Sequence, residues 1–439
     1  MKESFFTNTL TTLIVRVLSA LCTIAISAMI ARAFGPHGSG VYSLAVVFIG
    51  IVAISALFGM NTATIFYTGK KKYSAKLIIA NNIFVSFAMG ALALVIALPL
   101  AIIFNDELPK VLDWRITFMA FAAIIPVICF NLLSHILIGM ERIKTFNRLS
   151  LLQSFLLAAM ILVVSYVFRL DIFAAIAAYA LSFFVADIFF AVAAAKYAGG
   201  IVWKLNVGYV KDIISYGIKI YPSHLFSFLS SRVNFFIVGF LLNPAAVGFY
   251  SVASALAEGL GIFAKSAGTV LIARVVCETD QQKLKEFTPA VNRAVLAMMF
   301  LAAIILSLIA YPLITIIYSQ NFAAAVAPFI VMLFGTPALC GWEILSNDIA
   351  GRGRQIIISR IAAVAFWGGV VLNIFFILCW GLIGAAWAIN AVYFYMFFAA
   401  SVAYKKISGN DIFEITIIKK SDIKAYWNYL SAILKRIKI

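Results

Sequence analysis

The side chains of this 439-residue chain that could do chemistry are few, and they sit where charge is costly. Arg16, His224, Arg232 and Lys265 are cationic or titratable, Asp187, Glu258 and Glu343 are carboxylates, and each interrupts a run of apolar residues. An ionisable group at membrane depth costs about 3 kcal/mol or more, so it faces a cavity or a partner and is a functional candidate by default. Grouped cations suit an anionic ligand group such as a pyrophosphate. Carboxylates withdrawn from water can take up and release a proton, so Asp187, Glu258 and Glu343 are candidates for coupling ligand movement to an ion gradient.

Covalent chemistry has no visible home. The sequence contains no GxxxxGK[ST] phosphate loop, no HExxH zinc motif and no GxGxxG after a strand. The five cysteines, Cys22, Cys129, Cys277, Cys340 and Cys379, form no CxxC pair and lie in or beside apolar segments, where a free thiol packs as a small hydrophobe. No metal, cofactor or enzymatic activity is expected.

The elements that must position these groups follow from composition. Hydrophobic residues make up 64% of the chain and charged ones 12%, against roughly 25% charged in a soluble domain. A spanning helix needs about 20 apolar residues, and this length accommodates about twelve with short loops. Apolar runs place them near 10–33, 41–66, 77–104, 116–139, 149–168, 172–196, 213–242, 246–273, 291–317, 324–350, 356–379 and 382–404. The first could pass for a signal peptide, but a similar segment recurs in mid-chain. The formal charge of +17 resides in loops and tail, which argues against nucleic acid and for a membrane topology signal. Alternate loops hold 16 Lys and Arg against three in the others, so both termini and every basic loop are expected in the cytoplasm.

The chain also repeats itself. Pro36, Gly40, Tyr42, Ser43 and Ala45 match Pro244, Gly248, Tyr250, Ser251 and Ala253, and Ser134, Gly139, Arg142 and Arg148 match Ser346, Gly351, Arg354 and Arg360. Six helices per copy is an even number, so the copies run parallel about an axis along the membrane normal, with a ligand cavity expected between them. The expected fold is thus all-α and polytopic, with a six-helix bundle over 1–197, a cytoplasmic linker over 198–212, a second bundle over 213–404 and a basic tail over 405–439. In the tail Ile423, Trp427, Leu430, Leu434 and Ile437 recur at helical spacing, suggesting an amphipathic helix on the inner leaflet or a solvated topology anchor. The triplet Gly38-Ser39-Gly40 is a turn, not a hydrolase site, because its repeat mate Ala246-Val247-Gly248 has no nucleophile.

Depth can be counted from the turns. Arg16 lies 20 residues before Pro36 and His224 lies 20 before Pro244, equivalent positions at the cytoplasmic mouth, with a kink expected at Pro222. Arg232 is 12 residues before Pro244 and Glu258 is 14 after it, which places them in one layer as either a structural ion pair or a substrate site. His224 and Lys265 share a second layer. Asp187 and Glu343 have no partner at a fixed spacing, and Arg32 is expected to snorkel at the outer surface.

Residues 31–45, ARAFGPHGSGVYSLA, and 240–253, FLLNPAAVGFYSVA, resemble the repeated signature of bacterial polysaccharide exporters. The chain is similar to Wzx-type O-antigen or capsule flippases of the MATE-like multidrug/oligosaccharidyl-lipid/polysaccharide superfamily, and Gly351-Arg352-Gly353-Arg354 resembles that family's loop between helices 10 and 11. Arg16-Val17-Leu18 also resembles the start of the lipid II flippase branch. Where many relatives carry an Asp on helix 7, this chain has Arg232-Val233-Asn234, so an Asp-based coupling role does not carry over. The resemblance implies movement of undecaprenyl-pyrophosphate-linked sugar repeat units from the cytoplasmic to the periplasmic leaflet of the inner membrane. Alternating access without ATP, coupling to protons or sodium, and a polysaccharide polymerase and chain-length regulator as partners are implied with it. A multidrug antiporter on the same fold is the rival, but it would want an acidic cavity.

Overall fold

The computed structural model describes residues 2–103, 113–277, 281–417, 419 and 422, and among them every regular element is helical. The elements are α1 (Lys2–Leu57), α2 (Met60–Gly69), α3 (Ala75–Ile103), α4 (Trp114–Gly139), α5 (Ile143–Leu162), α6 (Ile172–Ala198), α7 (Val207–Leu241), α8 (Pro244–Cys277), α9 (Gln281–Leu308), α10 (Ala310–Tyr318), α11 (Val326–Gly351), α12 (Gln355–Ser408) and α13 (Ile412–Thr416). A π-turn, Val163–Val167, extends α5, and a 3₁₀ segment, Gln320–Ala325, leads into α11.

Among the described residues nine helical segments are long and apolar enough to cross a bilayer. Two of them, Ile14–Leu57 and Gln355–Ser408, are 44 and 54 residues long, about twice what one crossing needs. Each reverses at a glycine: Gly35 sits at φ 66°, ψ −173°, before a proline that donates no hydrogen bond, and Gly381 at φ 57°, ψ −136°. The second reversal is tight. A straight helix would carry Gly384 about 12 Å beyond Phe376, whereas a Cβ on Gly384 would stand 1.9 Å from the Phe376 carbonyl oxygen. With the shorter apolar stretch Leu225–Leu241, the described residues account for the expected twelve passes of a multi-pass membrane protein.

Two expectations need correction. The second span is not continuous over 41–66: Phe58 and Gly59 both adopt left-handed backbone, at φ 42° and 72°, and separate α1 from α2. The ninth span breaks at Ile309 into α9 and α10. Arg32, which is exposed, donates to the Ile317 carbonyl at 2.8 Å and to that of Ile316, tying the first arm of α1 to the C-terminus of α10.

The two repeats meet on their shared signature. A Cβ on Gly40 would lie 1.7 Å from the Pro244 carbonyl oxygen, and one on Gly248 would lie 2.1 Å from that of Pro36. The contact is reciprocal, as a two-fold axis between the halves requires. Around it the largest buried cluster draws on α1, α7, α8, α11 and α12, including Leu44, Val238, Val247, Tyr250 and Phe329. A second cluster fills the N-terminal bundle and takes in Tyr209 and Ile213 from the start of α7, so α7 bridges both halves. The link between them is fastened to α3, where Asn81 donates to the Lys204 carbonyl at 2.9 Å and accepts from the Asn206 amide at 2.8 Å.

Candidate functional site: a charged cavity between the halves

A cavity of about 570 Å³ lies between the halves, within the range of small-molecule sites. Its walls come from both arms of α1, from α5 and α6, and from α7 and α8. The signature that joins the halves also lines it. On α1 the residues next to Gly40 turn Ser39, Tyr42 and Ser43 to the cavity, and on α8 the wall continues through Ser251 and Ser254. Gln153, Ser154 and Tyr179 add hydrogen-bonding groups from the N-terminal side. Sequence reading missed these polar groups, and for Tyr42, Ser43 and Ser251 the signal available was the repeated Tyr-Ser beside each glycine.

Three predicted residues, Arg232, Glu258 and Lys265, line the cavity. Arg232 and Glu258 form a two-pronged ion pair, with Nη2 donating to Oε2 at 2.9 Å and Nη1 to Oε1 at 3.4 Å. Their side chains are 30% and 26% exposed, so the pair stands in the wall with one side open to the cavity. The Arg232 guanidinium also lies 5.8 Å from the centre of the Phe235 ring.

A family model described as polysaccharide biosynthesis protein matches residues 6–327. The chain belongs to the polysaccharide biosynthesis protein family. No curated protein matches it in sequence. Solved structures share its fold at low identity. One is an inward-facing multidrug resistance MATE family transporter of the MOP superfamily, at 15% identity over 91% of this chain and 98% of that one, with a TM-score of 0.73. Another is the lipid II flippase MurJ in an inward closed conformation, at 15% identity over 98% and 96% of the two chains, TM-score 0.72. A third is a MOP superfamily transporter from Pyrococcus furiosus, described by a reversed binding-pocket polarity that suggests a different function; it is 14% identical over 92% and 95%, TM-score 0.66.

In this polysaccharide biosynthesis family member the remaining predicted residues divide into groups. Glu343, expected to be without a partner, lies on α11 within electrostatic reach of both Lys265 and Arg16. Charged groups on α1, α8 and α11 are thus in electrostatic reach of one another. The side chain of His224 lies outside the described residues, although Pro222 does fall inside α7 and leaves one backbone position there without a donor. Asp187 is not part of the cavity: it is buried in the N-terminal bundle, where the Cys129 thiol lies between it and Ser86, and its Oδ1 has no hydrogen-bond partner. Asp348 pairs with Arg352 as a loop contact and accepts from Thr288 at 2.7 Å. The tail helix expected over 423–437 lies outside the described residues.

Proposed function

We propose that this protein is a flippase that carries undecaprenyl-pyrophosphate-linked oligosaccharide units from the cytoplasmic to the periplasmic leaflet by alternating access. The observation that carries this reading is the cavity between the halves, in which Arg232 and Lys265 outnumber the single carboxylate Glu258. With Arg16 and Glu343 in electrostatic reach of Lys265, three cations stand against two carboxylates, a balance that favours an anionic group such as a pyrophosphate. The hydroxyls and amide of Ser39, Ser43, Ser251 and Gln153 supply partners for sugar hydroxyls, and a polyprenyl chain can remain in lipid. Membership of the polysaccharide biosynthesis family supports the substrate class, and the shared MOP-type fold supports movement without covalent chemistry.

On this reading residues 1–197 and 213–404 rock against each other across the 198–212 connector, with termini and basic loops in the cytoplasm. Asp187, Glu258 and Glu343 are the candidates for coupling to protons or sodium. A cavity serving a multidrug antiporter would attract organic cations, which the Arg232 and Lys265 charges repel.

Deletion of the gene followed by lipid analysis tests the proposal. The expected result is loss of surface polysaccharide with lipid-linked oligosaccharide accumulating on the cytoplasmic face, restored by the wild-type chain and not by Lys265→Ala. Drug hypersensitivity with normal surface glycan would instead identify an antiporter.

A further inference from the structure

The two walls of the central cavity differ in kind. Among the described residues that line it, the charged ones, Arg232, Glu258 and Lys265, all stand on α7 and α8. The facing wall, built by α1, α5 and α6, is polar without charge, and the protons of its hydroxyls are largely spent. Thr23 donates to the Ser19 carbonyl at 2.9 Å, Ser43 to that of Ser39 at 2.8 Å and Ser154 to that of Ser150 at 3.2 Å. Gln153 uses an amide N–H on the buried Ser182 hydroxyl at 3.3 Å and keeps its carbonyl oxygen to accept. A hydroxyl has one proton and two lone pairs, so a hydroxyl bonded back to its own helix offers a ligand lone pairs. Tyr42 and Tyr179, edge to face with ring centres 6.5 Å apart, add apolar ring surface to the same wall. The wall of α1, α5 and α6 is therefore a surface of acceptors.

Acceptors call for donors. A sugar hydroxyl or an acetamido N–H donates, whereas a carboxylate oxygen only accepts. A carboxylate against this wall meets lone pairs unless a hydroxyl turns round, and each one that turns gives up the bond it already has. An ammonium group would donate, but Arg232 and Lys265 across the cavity repel it. On the opposite wall Ser251 and Ser254 are bonded back to their own helix as well, so the donors for an anion there are Arg232 and Lys265. A pyrophosphate engages those two cations, and a second anion beside it finds its own charge repelled by the first. What fits the uncharged wall is a neutral group rich in hydroxyls.

We propose that the wall of α1, α5 and α6 is the glycan subsite and that it selects uncharged sugars, so that a neutral hexose next to the pyrophosphate is accepted and a uronic acid is discriminated against. The ligand then lies across the cavity, its pyrophosphate on α7 and α8 and its sugar on the N-terminal half. This rests on the anionic-substrate reading above. Thr23 on α1 and Ser154 on α5 are the positions at which the selection is altered, since each lines the cavity and neither is buried. A lysine at either one supplies the donor and the charge that a uronate lacks there.

The test is calorimetric binding to the purified full-length protein in lipid nanodiscs of farnesyl pyrophosphate capped with methyl, with glucose or with glucuronic acid. The two sugars differ only at C6, a hydroxymethyl in one and a carboxylate in the other. The glucose cap should tighten binding about tenfold over the methyl cap, the worth of one or two net hydrogen bonds, and the glucuronic cap should fall to the methyl value or below. The net charge of the cavity alone would favour the glucuronate, so a preference for glucose reads the wall. Thr23→Lys and Ser154→Lys, on different helices, should each raise glucuronate about tenfold against glucose. A ratio unmoved in both variants overturns the placement of the sugar on this wall. Glucuronate binding as well as glucose or better in the wild-type protein overturns the selection. Both sugars binding no better than the methyl cap overturns the glycan subsite and leaves the anion reading standing. Absence of binding by every probe overturns both.

Discussion

At the scale of single residues, the Arg232–Glu258 pair separates a structural from a functional role. Removing either partner strands the other in a half-buried wall, and the cost lies between that of a surface pair and a buried one, about 1–3 kcal/mol. Arg232→Gln and Glu258→Gln alone should each lower the thermal midpoint of the purified protein, while the double variant recovers most of the loss because no charge is stranded. Export should be absent in all three. A stable double variant that restores surface glycan would reduce the pair to a structural brace. This pair was legible in the sequence because α7 and α8 share one short turn, which makes equal distances from Pro244 equal depths. The nearness of Glu343 to Lys265 and Arg16 was not legible, because α11 reaches them through packing and no short turn fixes its depth against theirs. Tyr42 and Ser43 were visible as repeated letters, but a match between repeats says which positions are equivalent and not which face of a helix meets a cavity. The repeat therefore pointed to Gly40 and left the cavity wall unread.

The elements at the basic end carry two contacts that pattern reading could not supply. The loops after α4 and α11 are repeat mates with the same backbone: Arg142 bonds back to the Leu137 carbonyl at 2.8 Å and Arg354 to that of Ile349 at 3.1 Å. The left-handed position is Glu141 in one, at φ 60°, and Gly353 in the other, at φ 75°. A side chain there costs about 1 kcal/mol, so Glu141→Gly should raise the thermal midpoint and Gly353→Ala should lower it, leaving transport unchanged by the first. The second contact returns the chain after α12 to α9. Arg293 grips Asp422 with bonds of 2.6 and 2.9 Å and donates to the Glu414 carbonyl, while Asn292 donates to that of Ile415 at 3.0 Å. Both charged side chains are buried, so Arg293→Ala should destabilise by about 3–5 kcal/mol in thermal unfolding. Hydrogen bonds from Arg293 hold the Asp422 carboxyl below its ordinary value of 3.8. A depressed carboxylate stabilises fully above that ordinary value and loses its effect as pH falls through the lower folded one. The contribution of Asp422 is therefore constant near neutrality and disappears only in acid, and Asp422→Asn should flatten the stability profile there.

For the whole molecule, twelve passes and a two-fold repeat followed from hydropathy and from matched Pro, Gly, Tyr and Arg. The breaks at Phe58-Gly59 and Ile309 did not, since hydropathy averages over such short interruptions and carries no information on backbone dihedrals. The repeat has mechanical content as well. Gly40 and Gly248 let the halves touch backbone to backbone beside Pro36 and Pro244, with the cavity beginning at Ser39 and Tyr42 next to them. If the halves rock, that contact must part to open the cavity at this end, and it must be free of side chains to close. Gly40→Val places atoms where the Pro244 carbonyl now lies, so the closed contact becomes inaccessible while each bundle keeps its own core. In a cysteine-replaced background carrying Ser43→Cys, a membrane-impermeant maleimide applied from the side of the bilayer on which Gly40 and Gly248 meet should label the cavity position in the Gly40→Val variant and far less in its absence. Gly248→Val, the symmetry mate, should do the same, because the contact is reciprocal. Equal labelling with and without the valines would mean that the glycine crossing does not gate that end of the cavity.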